Sequence, residues 1–228
     1  MLSASAVSAS FDRIMLKLYS YFRSSAAYRV RIALALKGLS AESVPVHLLR
    51  GEQRGEAFRR LNPQGLVPVM ETGAGIITQS LAIIEWLEET HPQPALLPRD
   101  PYLRARVRSF ALAIACDIHP LANPRVLNRL RADFGAEQGQ VDAWYRHWVE
   151  LGLSALEHLV EPGAVERGVS FGDAPSLADL CLVPQMFNAR RFACDLAATP
   201  RLVAIDAALN RRPEFQAAAP DKQADFEG

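Results

Sequence analysis

Apolar positions between residues 16 and 92 switch repeatedly from the two-residue period of a strand to the three-to-four-residue period of a helix. Leu16–Ser20 reads as a strand. Ser25–Lys37 reads as a helix, with Val30, Ala33, Leu34 and Lys37 on one face and Gly38 placed to stop it. Ser43–His47 is a second strand, and its Pro45 fits best near a sheet edge. Glu56–Leu61 is a short helix ended by Asn62-Pro63. Leu66–Glu71 and Ile76–Thr78 are short strands around the turn Thr72-Gly73-Ala74-Gly75. Ser80–Glu89 is an amphipathic helix with Ile83, Ile84 and Leu87 inward. The predicted order is β-α-β-α-β-β-α, a small α/β sandwich.

Prolines 92, 94, 98 and 101 then punctuate the chain, and strand patterns cease. Residues 102–117, 119–134, 137–160, 176–193 and 200–211 all carry helical apolar spacing. The expected organisation is a tail over 1–14, an α/β domain over 15–92, a linker over 93–101 and an all-helical domain over 102–228. Residues 1–14 are rich in Ser and Ala without the basic start of a signal peptide, so a disordered tail is expected. Trp144, Trp148 and Leu151 form a helical stripe that reads as core. Ser176-Leu177-Ala178-Asp179 is a capping box before an apolar helix, which is folding chemistry.

Composition narrows the possibilities. The 228 residues carry 25 basic and 25 acidic side chains, so no bulk charge draws the protein to nucleic acid or an anionic membrane. No stretch approaches the ~20 apolar residues of a membrane span. Cys116, Cys181 and Cys194 lack CxxC spacing, which argues against a secreted disulfide scaffold or a zinc site. A reducing cytoplasm is the expected compartment, with no metal.

Three local signals point to a ligand. Ser24-Ser25 sits at a strand-to-helix junction, where hydroxyls cap the helix and the helix N-terminus favours an anion. Val67-Pro68 opens a strand after a polar loop. An ordinary trans proline is the default there; a cis one leaves the Val67 backbone free to pair with an extended ligand. Gln79-Ser80 enters the third helix, with Ser80 as cap or carboxylate holder.

Taken together, the stretches LYSYFRSSAAYRVRIALALKG, NPQGLVPVME, ITQSLAIIEWLEETHP and GDAPSLADLCLVPQMFNARRF resemble the zeta class of the glutathione transferase superfamily. The resemblance runs from Met15 to about residue 220. It implies a thioredoxin-like N-terminal domain, an all-α C-terminal domain, a homodimer and glutathione as cofactor. The implied activity is glutathione-dependent cis–trans isomerisation of maleylacetoacetate or maleylpyruvate in aromatic-ring catabolism. Conjugation, dehalogenation of small α-halo acids or peroxidase chemistry is the enzymatic alternative; a non-catalytic binding module is the other. A pure scaffold has no physical need for a thiol site, which argues against the module.

By residue match, the resemblance places glutathione across Ser24, Val67, Gln79, Ser80, His119 and Asn123. Ser24, with Ser25 as neighbour, would lower the thiol pKa. The dianionic substrate would meet Arg23, Arg125 and Arg191, with Arg23 and Arg191 also serving catalysis. One departure stands out: Ala26 occupies the position of the family's usual cysteine. Isomerisation tolerates this, because glutathione supplies the sulfur.

Overall fold

The computed structural model describes residues 16–227; the tail expected over 1–14 lies outside them. Four strands form one mixed sheet in the order β2-β1-β3-β4. They are β1 (Leu16–Ser20), β2 (Ala41–Pro45), β3 (Val69–Thr72) and β4 (Gly75–Thr78). β1 runs parallel to β2 and antiparallel to β3, and β3 pairs antiparallel with β4. Alternation in β1 turns Leu16, Leu18 and Ser20 inward. Pro45 closes β2 on the sheet edge, where a missing N–H costs no ladder bond. Helices α1 (Ser25–Leu36), α2 (Glu56–Leu61) and α3 (Ser80–Thr90) complete this thioredoxin-like half.

Two strand starts differ from expectation by two residues or more. β2 starts at Ala41 because Leu16 and Lys17 pair with Ala41 and Glu42. β3 starts at Val69 rather than Leu66, for two reasons. Pro68 has no amide to give the ladder, and the Leu66 carbonyl accepts from Asn62 Nδ2 at 2.7 Å. The Val67-Pro68 peptide is cis, against the trans default.

Beyond residue 100 all regular elements among the described residues are helical: α4 (Pro101–Leu112), α5 (Pro124–Phe134), α6 (Gln138–Glu157), α7 (Ala164–Arg167), α8 (Leu177–Arg191), α9 (Pro200–Leu209) and α10 (Pro213–Ala218). α4 runs on into a π-helical segment, Ala113–Ile118. The helix expected from residue 119 begins only at Pro124, because Asn123 takes an extended conformation and its side chain accepts from Arg125 N. α7 and α10 are too short for apolar periodicity to reveal. The capping box is present: the Asp179 carboxylate, its pKa raised by burial, accepts 2.8 Å bonds from the Ser176 and Ser170 amides. None of these helices is long and apolar enough to cross a membrane.

The stripe expected on α6 is out of phase. Val141, Tyr145, Val149, Leu153 and Leu156 are its buried face. Trp144 and Trp148 lie half-buried at its border, while Leu151 is 56% exposed. The spacing of four, four, four and three residues follows the 3.6-residue turn and leaves Leu151 pointing away.

Buried cations join the parts. Lys37 Nζ meets the Glu88 carboxylate at 2.8 Å and donates to the His91 and Pro94 carbonyls. Glu88 in turn accepts from the Leu96 and Leu97 amides, which anchors the proline-rich connection. Arg31 donates to Ser20 Oγ (3.1 Å), the Phe22 carbonyl (3.1 Å) and the Ala218 carbonyl of α10 (3.0 Å). Burial lowers its pKa to about 10, so it stays charged at neutral pH. Tyr28 packs by its edge on Phe187 and reaches the Phe215 carbonyl at 3.4 Å.

A close approach between α6 and the π-helical segment depends on Gly152, since a Cβ there would overlap the Ile118 side chain. Gly→Ala in an open helix gains ~1 kcal/mol. Here Gly152→Ala is expected to destabilise by about 1–3 kcal/mol through overpacking. Thermal unfolding checks this; a raised melting temperature would contradict the packing.

Candidate active site

A cavity of about 850 Å³ opens between the two halves of the chain. The α/β half contributes the N-terminus of α1 and loops near residues 48–54 and 64–67; the helical half contributes the α5 entry, α6 and α8. Ser24 caps α1, and its Oγ accepts from Ala27 N at 3.2 Å. That bond leaves the Ser24 O–H to donate elsewhere. The first-turn amides have no carbonyl of their own helix to meet, so this end of α1 favours a negative ligand.

Ser25 is buried, and its Oγ lies 3.1 Å from His119 Nδ1. Asn123 Nδ2 lies 3.5 Å from the other ring nitrogen. Burial, reinforced by the charges of Arg29 and Arg125, pushes the His119 pKa down to about 3. The imidazole is therefore neutral at working pH. With Asn123 donating to Nε2, the ring hydrogen sits on Nδ1 and points to Ser25 Oγ, freeing the Ser25 proton for a ligand.

The wall charge is one-sided. Arg23, Arg50, Arg54, Arg59, Arg125 and Arg191 line the cavity, and among the described residues no Asp or Glu does. Arg50 is bridged to Glu227 at 2.7 Å. Arg23 stacks over the Phe22 ring at 4.9 Å, and Arg191 over Phe192 at 4.7 Å. Desolvation lowers the Arg191 pKa, and the nearby Arg23 charge adds to that shift. Both guanidinium groups line the same cavity, and their shared positive charge favours an anionic ligand there. Phe192 also stacks on Tyr145, with centroids 3.7 Å apart, and burial raises the Tyr145 pKa.

Of the residues expected at the site, Arg23, Ser24, Ser25, Val67, His119, Asn123, Arg125 and Arg191 gather on this cavity. Gln79, which is exposed, and Ser80, which is buried, do not line it. Gln79, at φ 70°, is itself the N-cap position of α3 and donates from Nε2 to Gln64 Oε1 at 2.8 Å. Gln64 lines the cavity. Ser80 is not the cap it is expected to be: it is the first helical residue, and its Oγ accepts from the buried Arg29 Nη1 at 3.3 Å.

Sequence patterns missed Arg50, Arg54 and Arg59, which reach the cavity from two short 3-10 turns and α2. Gln185 and Asn188 of α8 were also missed. Two amides three residues apart in the otherwise apolar stretch 180–189 of that helix are a signal that could have found them. Among the described residues no group of three or more His, Cys, Asp or Glu can hold a metal. What the donors fit is a small anionic thiol beside a polycarboxylate: hydroxyls and a helix N-terminus for sulfur, guanidinium groups for carboxylates.

Residues 18–95 match the model of the glutathione S-transferase N-terminal domain. The chain is 50% identical over 213 residues to a maleylacetoacetate isomerase of Pseudomonas aeruginosa, covering 92% of this chain and 98% of that protein. A solved holo structure of a bacterial zeta-class maleylpyruvate isomerase superposes with a TM-score of 0.90 at 48% identity, covering 92% of this chain and 100% of that one. A maleylacetoacetate isomerase from Anaeromyxobacter dehalogenans, solved with glutathione in its active site, gives 0.84 at 47% identity, with 94% and 99% coverage.

The neutral His119 has a consequence for stability. In the unfolded chain its imidazole takes a proton near pH 6.5; in the folded protein it does so only near pH 3. Between those values the unfolded state binds more protons, so this contribution is intact above pH 6.5 and is lost as pH falls towards 3. His119→Gln is expected to flatten the pH dependence of urea unfolding between pH 6.5 and 4, by up to about 1.4 kcal/mol per pH unit. Parallel curves for the variant and the wild type would contradict the buried neutral ring.

Proposed function

The chain belongs to the zeta class of glutathione S-transferases, and from that premise we propose that it is a glutathione-dependent cis–trans isomerase of maleylpyruvate or maleylacetoacetate. The observation that carries this reading is the cavity wall of six arginines with no carboxylate among the described residues. Both acids are dianions at neutral pH, and such a wall attracts and orients them. A halo acid or a neutral electrophile would not require it.

Glutathione, when bound, supplies the thiolate that adds to the double bond and leaves again after rotation. The chain's own residues prepare that chemistry. The free Ser24 O–H and the positive end of α1 stabilise a thiolate over a thiol, which lowers its pKa. Ser25, aligned by His119, offers a second hydroxyl. Arg23 and Arg191 hold substrate carboxylates and face the charge that develops on the conjugated carbonyl, with Arg125 at the helical side of the opening. Val67, Asn123 and His119 hold the cofactor at the cavity, while Gln79 and Ser80 do so from the start of α3, Gln79 acting through Gln64. In this reading residues 15–92 form the glutathione domain, 93–101 the linker and 102–228 the substrate domain. The family resemblance further supports a homodimer and a cytoplasmic location; light scattering on a sizing column tests the first.

The direct test is a spectrophotometric isomerase assay on each acid with and without glutathione. A fast rate on one acid that vanishes without glutathione is expected. No rate on either, with turnover of an α-halo acid instead, would move the reading to conjugation chemistry. Ser24→Ala is expected to lower kcat about 100-fold while costing only ~1 kcal/mol as a lost cap. Arg191→Ala is expected to raise KM for the acid about 10–100-fold, the worth of a charge-assisted bond, and to spare glutathione affinity. The reverse pattern would place Arg191 at the cofactor.

A further inference from the structure

Gln185 and Asn188 lie one helical turn apart on α8 and both line the cavity. Gln185 is 1% exposed and Asn188 9%. Gln185 Nε2, a donor, and Asn188 Oδ1, an acceptor, are buried without a hydrogen-bond partner. Buried amides are nearly always paired, and leaving one unpaired lowers stability. Side chains three apart on a helix lie on one face, so an unpaired donor and an unpaired acceptor line the same side of the cavity without bonding each other.

We propose that Gln185 and Asn188 form a subsite that reads the enolised 1,3-dicarbonyl of the substrate. The inference takes its substrate chemistry from the isomerase reading. Maleylpyruvate and maleylacetoacetate each carry two carbonyls separated by one carbon. In the enol form, such a unit presents one carbonyl oxygen and one hydroxyl side by side. Gln185 Nε2 donates to the carbonyl oxygen, and Asn188 Oδ1 accepts from the hydroxyl, whose proton turns to it from the internal hydrogen bond with that carbonyl. The arginines bind carboxylates and do not distinguish a keto acid from a plain one; a neutral donor–acceptor pair does. The same Gln185 N–H stabilises charge on that oxygen when the neighbouring double bond is attacked.

The test compares two probes by calorimetry with the full-length protein: 2,4-dioxopentanoate, which enolises, and 4-oxopentanoate, which lacks the second carbonyl of the pair. The wild type is expected to prefer the first by about 3–10-fold, the range for a net hydrogen bond. The near-isosteric Asn188→Leu and the more flexible Asn188→Met, which lose the acceptor for the hydroxyl, are expected to abolish that preference, to leave glutathione affinity unchanged and to hold or raise the melting temperature, since an unpaired amide is removed. Gln185→Leu, which loses the donor to the carbonyl that both probes carry, is expected to keep the preference and to lower isomerase kcat about 100-fold. A preference that survives in the Asn188 variants, or is missing from the wild type, would overturn the subsite. So would a lowered melting temperature in the Asn188 variants with both probes weakened equally, which is the signature of a packing role. A wild type that selects the diketone through Asn188 yet isomerises neither acid would leave the subsite standing and remove the isomerase reading.

Discussion

Everything at the cavity depends on where residues 20–25 sit, and a buried guanidinium fixes that. Arg31 gathers Ser20 Oγ, the Phe22 carbonyl and the Ala218 carbonyl around one charge, so the end of β1, the loop before α1 and the start of the C-terminal segment cannot move independently. The C-terminal segment holds the same loop from outside: the Asp225 carboxylate accepts from Phe22 N at 2.9 Å, and Phe226 packs edge-on against Phe22. A buried charge is tolerated only with satisfied partners. That requirement makes Arg31 a rigid coupling, and Arg23 and Ser24 inherit their position from it.

With the loop fixed, charge placement does the rest. The chain is neutral as a whole, with 25 bases and 25 acids, yet among the described residues the cavity takes six arginines and no acid. The acids are used elsewhere: Glu85 binds Arg108 at 2.7 Å on the surface, and Glu88 holds Lys37 and the linker amides. Segregation of this kind produces a strong local field without a large net charge. It also accounts for His119. An imidazolium would add one more cation in a desolvated place beside Arg29 and Arg125, so the ring stays neutral and works as a hydrogen-bonding spacer between Asn123 and Ser25.

Much of this was legible in the sequence. Apolar patterning located the four strands and the long helices; β1 and α6 show their periods most clearly, because each buries a regular face. The Ser24 cap and the Ser176–Asp179 box could be read because capping is local chemistry. Positions that turn on tertiary geometry could not. Leu151 looks like core until the phase of α6 is known. Ser80 looks like a cap until Arg29 claims its hydroxyl. Arg50 and Arg54 sit in turns too short to have a pattern, Arg59 lies on a helix of six residues, and only the folded chain shows that they share a cavity with Arg191. Gln185 and Asn188 lie in a helix that reads as apolar; their meaning comes from the absence of partners, which no linear pattern displays.

The central claim is that the Ser24 hydroxyl, the α1 N-terminus and the surrounding arginines together favour a thiolate. Ultraviolet difference titration near 240 nm of glutathione bound to the protein measures this directly. The account predicts that the bound thiol titrates about two units or more below the ordinary thiol value of ~8.5. A bound thiol that titrates like free glutathione would contradict it, whatever the protein then proves to do with the acids that its arginines attract.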